Sequence, residues 1–418
     1  MRKRRCNLSA HHSSYDAIIV GGGPAGAAAT LYCRRHGLKT LLLDKNRFPR
    51  DKVCGDAISG KSLRVLRDLD LEWKLRLEPQ LEAHGVLFSA PNGKIARIPF
   101  TPPQAKRQSM GYVCRRVVFD NVLFSAAKEA ATECLEEFVV DALVKDGATV
   151  RGVLGHRAGE KTPRTFHAHA VLGADGFDSI VARQMGLYEH DSKHWVVATR
   201  GYYRGITEMT DYIEIHFVDA VTPGYFWIFP LENGWANVGI GMLHSELKQR
   251  RINLRQAHIA ATQVEPFRTR FAHAELAGGI SGWNLPLGSK RRQIHGEGFM
   301  LLGDAAGLID PFSGEGIGNA MVSGEIAAKV LARACAQNNW SAASLAEYAD
   351  LLWGEIGNEL QTSYLLQRLG QVKPLLNFIV GKAAKSFEVA NWISSMMANE
   401  TPRAELASPL TYLRLLFA

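Results

Sequence analysis

The sequence lacks almost everything that a membrane-spanning, secreted or metal-stapled protein requires. No stretch of its 418 residues reaches the roughly 18 uninterrupted apolar residues of a transmembrane helix. The basic start Met1-Arg-Lys-Arg-Arg-Cys-Asn7 has no apolar run and cleavage site behind it, so no secretory leader is expected. The six cysteines (Cys6, Cys33, Cys54, Cys114, Cys134, Cys335) form no pair at metal-ligand or redox spacing. That pattern argues against a structural metal and a disulfide framework, and points to a reducing, cytoplasmic compartment. No basic run is interleaved with stacking aromatics, which argues against nucleic acid as a partner. There is no internal repeat and no low-complexity linker.

What is present is a globular composition, 46% hydrophobic and 22% charged, long enough for two large lobes and a helical appendage. The formal charge of +8 suits a diphosphate, an anionic membrane surface or an acidic electron carrier, and equally a solvated surface.

The first ordered unit is strand, tight turn, helix, strand. Tyr15–Val20 is an apolar run, and Gly21-Gly-Gly-Pro-Ala-Gly26 follows it at once. A helical stretch then runs to His36 and stops at Gly37, and Leu38–Asp44 forms a second strand ending in an acid. In such a βαβ unit Gly21 permits the turn, Gly23 lets the backbone approach a pyrophosphate, and Gly26 brings helix and strand together. The helix N-terminus offers free N–H groups to a diphosphate. Asp44, 18 positions after Gly26, is placed to accept hydrogen bonds from ribose hydroxyls. This motif alone does not separate FAD from NAD.

Farther on, Phe88–Arg97 reads as a hairpin around Pro91-Asn-Gly93, and a helix is predicted over Val117–Cys134 with Phe119, Leu123 and Ala127 on one face. Strands follow in Phe138–Val144, Thr149–Leu154 and Ala168–Leu172, and an antiparallel sheet is expected between about 190 and 290. Phe299–Leu302 returns to buried-strand character, and the sequence is mostly helical from about Ser323.

Two further motifs carry a resemblance. Gly173-Ala-Asp-Gly-Phe-Asp178 and Gly303-Asp-Ala-Ala-Gly307, the latter running on to Gly314-Glu-Gly-Ile-Gly-Asn319, resemble motifs of the para-hydroxybenzoate hydroxylase-like flavoproteins in order and spacing. The resemblance spans about 300 residues and implies FAD. It places Asp175 and Gly176 near the pyrophosphate, Asp304 at the ribityl chain, and Arg116 against the cofactor. Gly303, Gly314, Gly316 and Ile317, with Ala25 and Lys45 in the first unit, complete the implied cofactor set. The helix opened by Gly314–Asn319 would point its N-terminus at the pyrimidine edge, where reduction places negative charge.

Tyr225-Phe-Trp-Ile-Phe-Pro230 with Gly239-Ile-Gly241, and Lys52-Val-Cys-Gly-Asp56, are similar to motifs of the geranylgeranyl reductase family. Asp56 stands where one form of that family has a second glycine. The resemblance implies reduction of C=C bonds in the isoprenoid tail of a lipid, quinone or diphosphate, by hydride from reduced flavin. Cys54 is then the candidate for shaping the site or protonating the substrate, and Gly55 lies at the flavin. Alternation puts Tyr225, Trp227 and Phe229 on one side of a strand, either as a substrate wall or as an ordinary sheet core.

The implied architecture is α/β. A discontinuous Rossmann-like FAD-binding domain (14–85, 110–189, 290–335) carries an inserted antiparallel-sheet substrate domain (86–109, 190–289). A helical C-terminal region (336–418) follows. Its apolar segments Pro374–Val380, Trp392-Ile393 and Leu410–Phe417 offer a peripheral membrane contact or pack on the lobes. No second dinucleotide fold is visible, so electrons come from NAD(P)H docking transiently or from a carrier such as reduced ferredoxin. The alternatives are an FAD-dependent monooxygenase or hydroxylase, a halogenase, and a non-enzymatic flavin sensor. Tyr225 and Phe229 stand where the related halogenase motif has Trp and Ile, which counts against halogenation.

Overall fold

Val20, Leu43, Gly173 and Leu301 end four strands at one edge of a sheet, and this edge organises the molecule. The computed structural model describes residues 15–100, 111–219, 221 and 224–398. The segments Met1–Asn7 and Leu410–Phe417, and the Trp392 side chain, lie outside that description.

Within the described residues, Tyr15–Val20 is the central strand, parallel to Arg164–Gly173 on one side and to Thr40–Leu43 on the other. Glu133–Leu135 extends the sheet beyond Thr40–Leu43, and Phe299–Leu301 pairs in parallel with Arg164–Gly173. The short strands Thr40–Leu43 and Phe299–Leu301 are fully buried, as parallel strands covered on both faces must be. Phe138–Asp146 and Thr149–Arg157 form an antiparallel ribbon leading off Arg164–Gly173.

The helix Pro24–Arg35 covers one face, with His36 at its C-cap and Gly37 at φ +74° beyond it. It lies against the helix Ile317–Gln337 so closely that a Cβ on Gly324 would stand 2.5 Å from the Ala25 carbonyl oxygen. Closeness at the first turn is tighter still. Gly26 has only 1.8 Å between an added Cβ and the Gly21 carbonyl oxygen.

The predicted helix over Val117–Cys134 is shorter. It spans Arg116–Ala130 and stops where Ala131 turns extended. Cys134 instead pairs with Leu42, because the Thr40–Leu43 edge supplies a buried ladder that local helix preference cannot match. The helix expected to open within Gly314–Asn319 begins at Ile317, a little before the mostly helical part expected from about Ser323.

A second sheet has the order Glu275–Pro286, Trp195–Arg204, Trp235–Leu243, Tyr225–Pro230, Tyr212–His216, Gly85–Ser89, Ile95–Pro99. It is antiparallel except at one seam. Gly85–Ser89 runs parallel to Tyr212–His216, since the hairpin reaches this edge by a long crossover rather than a tight turn. The hairpin itself turns at Pro91–Gly93, with Gly93 at φ +80°.

The C-terminal helices Lys373–Ala383 and Phe387–Ala398 pack on this sheet, where Leu376, Val380 and Val389 join Phe88, Ala96 and Ile98 in one cluster. Among the described residues no helix is long and apolar enough to cross a membrane.

Replacing Gly26 by Ala should force the turn apart and cost about 1–3 kcal/mol, the usual range for overpacking. A lowered thermal-unfolding midpoint in the purified protein would register it, and an unchanged midpoint would refute the close-approach account.

Candidate functional site

The edge formed by the parallel strands faces one side of the second sheet, and a cavity of about 730 Å³ lies between them. Gly21, Gly23, Ala25, Asp44, Lys45, Asp175, Gly176 and Asp304 line it from the first sheet. Gly314, Gly316 and Ile317, with Cys54, Gly55 and Arg116, line it from the intervening segments. Tyr225, Trp227 and Phe229 line it from the second sheet. Gly26 and Gly303 do not belong to this lining. Gly26 is spent on the approach to Gly21, and Gly303 (φ +56°) sits between Ala25 and Ala320 with its N–H on Ser323 Oγ at 3.0 Å.

At the first turn Gly21 adopts φ +104°, and an added Cβ would lie 2.3 Å from the Ala174 carbonyl oxygen. The helix behind it begins at Gly23 without a capping side chain, leaving its first-turn N–H groups available. Asp44 is buried and accepts the Gly22 N–H at 2.7 Å and the Asn46 N–H at 2.8 Å. Each oxygen keeps further lone-pair capacity. Asp175 accepts from the Ile180 N–H at 2.7 Å through one oxygen, while its other oxygen is buried with no partner among the described residues. Burial pushes its pKa up. At the helix Ile317–Gln337 the Glu315 carboxylate accepts the Gly318 N–H at 2.6 Å, so one first-turn donor there is already engaged.

Four of the cations lining the cavity pair with three acids, two of them sharing one carboxylate. Arg116 is a buried residue, not a surface one, and grips Asp120 through two bonds of 2.6 and 2.8 Å. Arg50 adds a third contact to the same carboxylate at 2.7 Å. Burial opposes ionisation of Asp120, but the two guanidiniums prevail and hold its pKa below the usual carboxylate range. Lys52 Nζ sits 3.0 Å from Asp304 Oδ2, and Arg200 binds Asp51 at 2.8 Å.

On the opposite wall, cross-strand register explains the motif pair. Tyr225 stands opposite Gly241, Trp227 opposite Gly239 and Phe229 opposite Asn237. The Trp227 indole lies across Gly239, where an added Cβ would come within 2.1 Å of the ring. Glycine therefore lets the indole lie flat and opens the cavity beside it. Phe226 and Ile228 point the other way, into a separate core. Ile213, Ile215, Phe217 and Phe88 extend the wall as an apolar surface.

The polar end of this wall holds Cys54. Trp227 Nε1 donates to Asn237 Oδ1 at 2.9 Å, and Asn237 Nδ2 donates to the Cys54 carbonyl and to Asp56 Oδ2, each at 2.7 Å. Burial, the largest influence, pushes the Cys54 thiol pKa up against the pull of Arg116, so the sulfur carries its proton at neutral pH.

Sequence reasoning did not assign Arg50, Lys52, Asp56, Arg200, Tyr202 or Asn237. The available signal was a polar or charged residue inside an otherwise apolar strand, as Arg200 and Asn237 are.

The family model described as "FAD binding domain" matches residues 14–348. Menaquinone reductase of Mycobacterium tuberculosis is 31% identical over 324 residues, which is 76% of either protein. Digeranylgeranylglycerophospholipid reductase of Thermoplasma acidophilum is 30% identical, covering 81% of this protein and 83% of its own length. The crystal structure of a geranylgeranyl bacteriochlorophyll reductase-like protein from T. acidophilum superposes with a TM-score of 0.79 at 24% identity, over 92% of this protein and 97% of that one.

Exchanging Asp120 for Asn strands two guanidiniums in the cavity wall and should cost about 3–5 kcal/mol. Denaturant unfolding of the variant measures this; a loss near zero would mean the cluster is solvated.

Proposed function

Because the protein belongs to the geranylgeranyl reductase family of FAD-dependent oxidoreductases, we propose that it reduces C=C bonds in the isoprenoid tail of a lipid or quinone. The observation that carries this reading is the continuous apolar wall from Tyr225, Trp227 and Phe229 to Ile215 and Phe88, which meets the Cys54 turn. A prenyl tail buried there gains roughly 25 cal/mol per Å² of apolar surface removed from water.

The cavity suits FAD in three respects. The Gly21 turn excludes any Cβ and leaves helix N–H groups for a diphosphate, Asp44 retains acceptor capacity for ribose, and Asp175 has an orphaned buried oxygen. On this reading Gly21, Gly23, Ala25, Asp175 and Gly176 hold the pyrophosphate, and Asp44 and Lys45 the adenosine ribose. Asp304 holds the ribityl group, while Gly55, Arg116, Gly314, Gly316 and Ile317 surround the ring. Gly26 and Gly303 serve by packing. FAD, when bound, supplies the hydride.

The protein's own part is to orient the alkene, exclude water and provide a proton. Tyr225, Trp227 and Phe229 orient the tail. The Cys54 Sγ–H, kept protonated by burial, is the proton source for the second carbon. The electron donor is NAD(P)H or a reduced ferredoxin-type carrier, and anaerobic flavin bleaching with each donor separately identifies it.

The tail arrives from a membrane that the protein touches peripherally. Leu365, Leu369, Val372, Phe378 and Phe387 are exposed on the C-terminal helices and the turn between them, and the neighbouring Leu366 and Gly370 line the cavity.

Anaerobic incubation of the dithionite-reduced protein with geranylgeranyl phospholipid or menaquinone should give products heavier by two hydrogens per bond in mass spectra. Oxygen-dependent products heavier by one oxygen would sink the proposal. Trp227→Ala should raise KM about tenfold while the bound-flavin spectrum stays unchanged; an unaltered KM removes Trp227 from the substrate wall.

A further inference from the structure

Asp56 is placed at two costs. It adopts φ +66°, a left-handed backbone that glycine would reach freely, and its carboxyl is completely buried. Its contacts nevertheless converge on the site. Tyr202 Oη donates to Oδ2 at 2.8 Å, Asn237 Nδ2 donates to the same oxygen at 2.7 Å, and the Arg116 N–H donates to Oδ1 at 3.3 Å. Its own carbonyl accepts the Cys114 N–H at 2.9 Å. Asn237 in turn holds the Cys54 carbonyl and the Trp227 indole.

We propose that Asp56 is a positioning residue for the reduction: its carboxylate latches the Cys54–Gly55 turn to the aromatic wall and to the start of the Arg116 helix. The consequence for turnover rests on the reductase reading above. Gly55 shows how little slack the latch leaves, since an added Cβ would stand 3.1 Å from the Phe229 ring.

Burial raises the Asp56 pKa to about 6, against the pull of Asn237, Tyr202, Arg200 and Arg116. The groups facing it are Cys54 on its own loop, Arg116 on the helix Arg116–Ala130, Arg200 and Tyr202 on the strand Trp195–Arg204, and Cys114 behind it. A carboxyl whose pKa is raised on folding binds more protons in the native state. It therefore favours the fold at acid pH and costs stability as pH rises through about 6. The ionised form is thus retained at neutral pH at the expense of stability, as a site residue would be.

The test is alkylation of Cys54 by iodoacetamide through the cavity, followed by peptide mass spectrometry in the parent, Asp56→Asn and Tyr202→Phe proteins. Asparagine tolerates the left-handed backbone but turns a donor toward Asn237, Tyr202 or the Arg116 N–H, so one contact is lost. Cys54 labelling should rise about tenfold in D56N and severalfold in Y202F, the loss of one or more charge-assisted hydrogen bonds. Buried Cys33 should stay unlabelled, which separates release of the turn from general loosening. Parent turnover should fall as pH drops through about 6, and D56N should lack that limb. Cys54 labelling within twofold of the parent in both variants, or a pH limb that persists in D56N, overturns the proposal. If the parent reduces no prenyl tail, the labelling still decides the latch and the failure falls on the reductase reading. Should D56N not fold, Y202F, which leaves every backbone contact in place, carries the labelling test.

Discussion

One fully buried amide, Asn237, ties the second sheet to the Cys54–Asp56 segment, and the geometry of the cavity depends on it. Its two N–H groups and its oxygen are all committed: one each to the Cys54 carbonyl, Asp56 and the Trp227 indole. A buried polar group that loses a partner costs about 1–3 kcal/mol, which holds each of these three bonds in place. They determine how far the Cys54 turn stands from the aromatic wall and how the indole tilts over Gly239.

The same economy governs charge. Arg50, Lys52, Arg116 and Arg200 enter the cavity wall, and Asp120, Asp304 and Asp51 meet them at hydrogen-bond distance. Taking a guanidinium or ammonium out of water without such a partner is costly. The four cations and three carboxylates leave one net positive charge between them, so most of the formal surplus of +8 lies elsewhere.

The parts of this arrangement that could be seen in the sequence are those made by near neighbours in it. Gly21–Gly26 and Asp44 belong to one βαβ unit, and the alternation of Tyr225, Trp227 and Phe229 places all three on one face, as the register confirms. Gly239 and Gly241 were recognisable as a pattern, but their purpose required the opposite strand. Asp56 could be seen only as a departure from glycine. Its partners Tyr202 and Asn237 lie 146 and 181 positions away, and no local periodicity relates residues so distant. The end of the helix at Ala130 and the parallel seam at Gly85–Ser89 were missed for a similar reason, because tertiary pairing decided both. Gly26 and Gly303 were recognised as special, and their strictness comes from packing behind the cavity rather than from its surface.

The strand Phe299–Leu301 joins the first sheet beside Arg164–Gly173, although more than 120 residues separate them. During synthesis the ribosome releases Tyr15–Val20, Thr40–Leu43 and Arg164–Gly173 long before their last parallel neighbour exists. The nascent lobe therefore carries an open, apolar sheet edge while most of the second sheet is being made. Contacts of such long sequence separation form slowly, and unpaired edges recruit other polypeptides. Translation rate and chaperone supply, rather than the stability of the finished protein, would then set how much of it a cell accumulates.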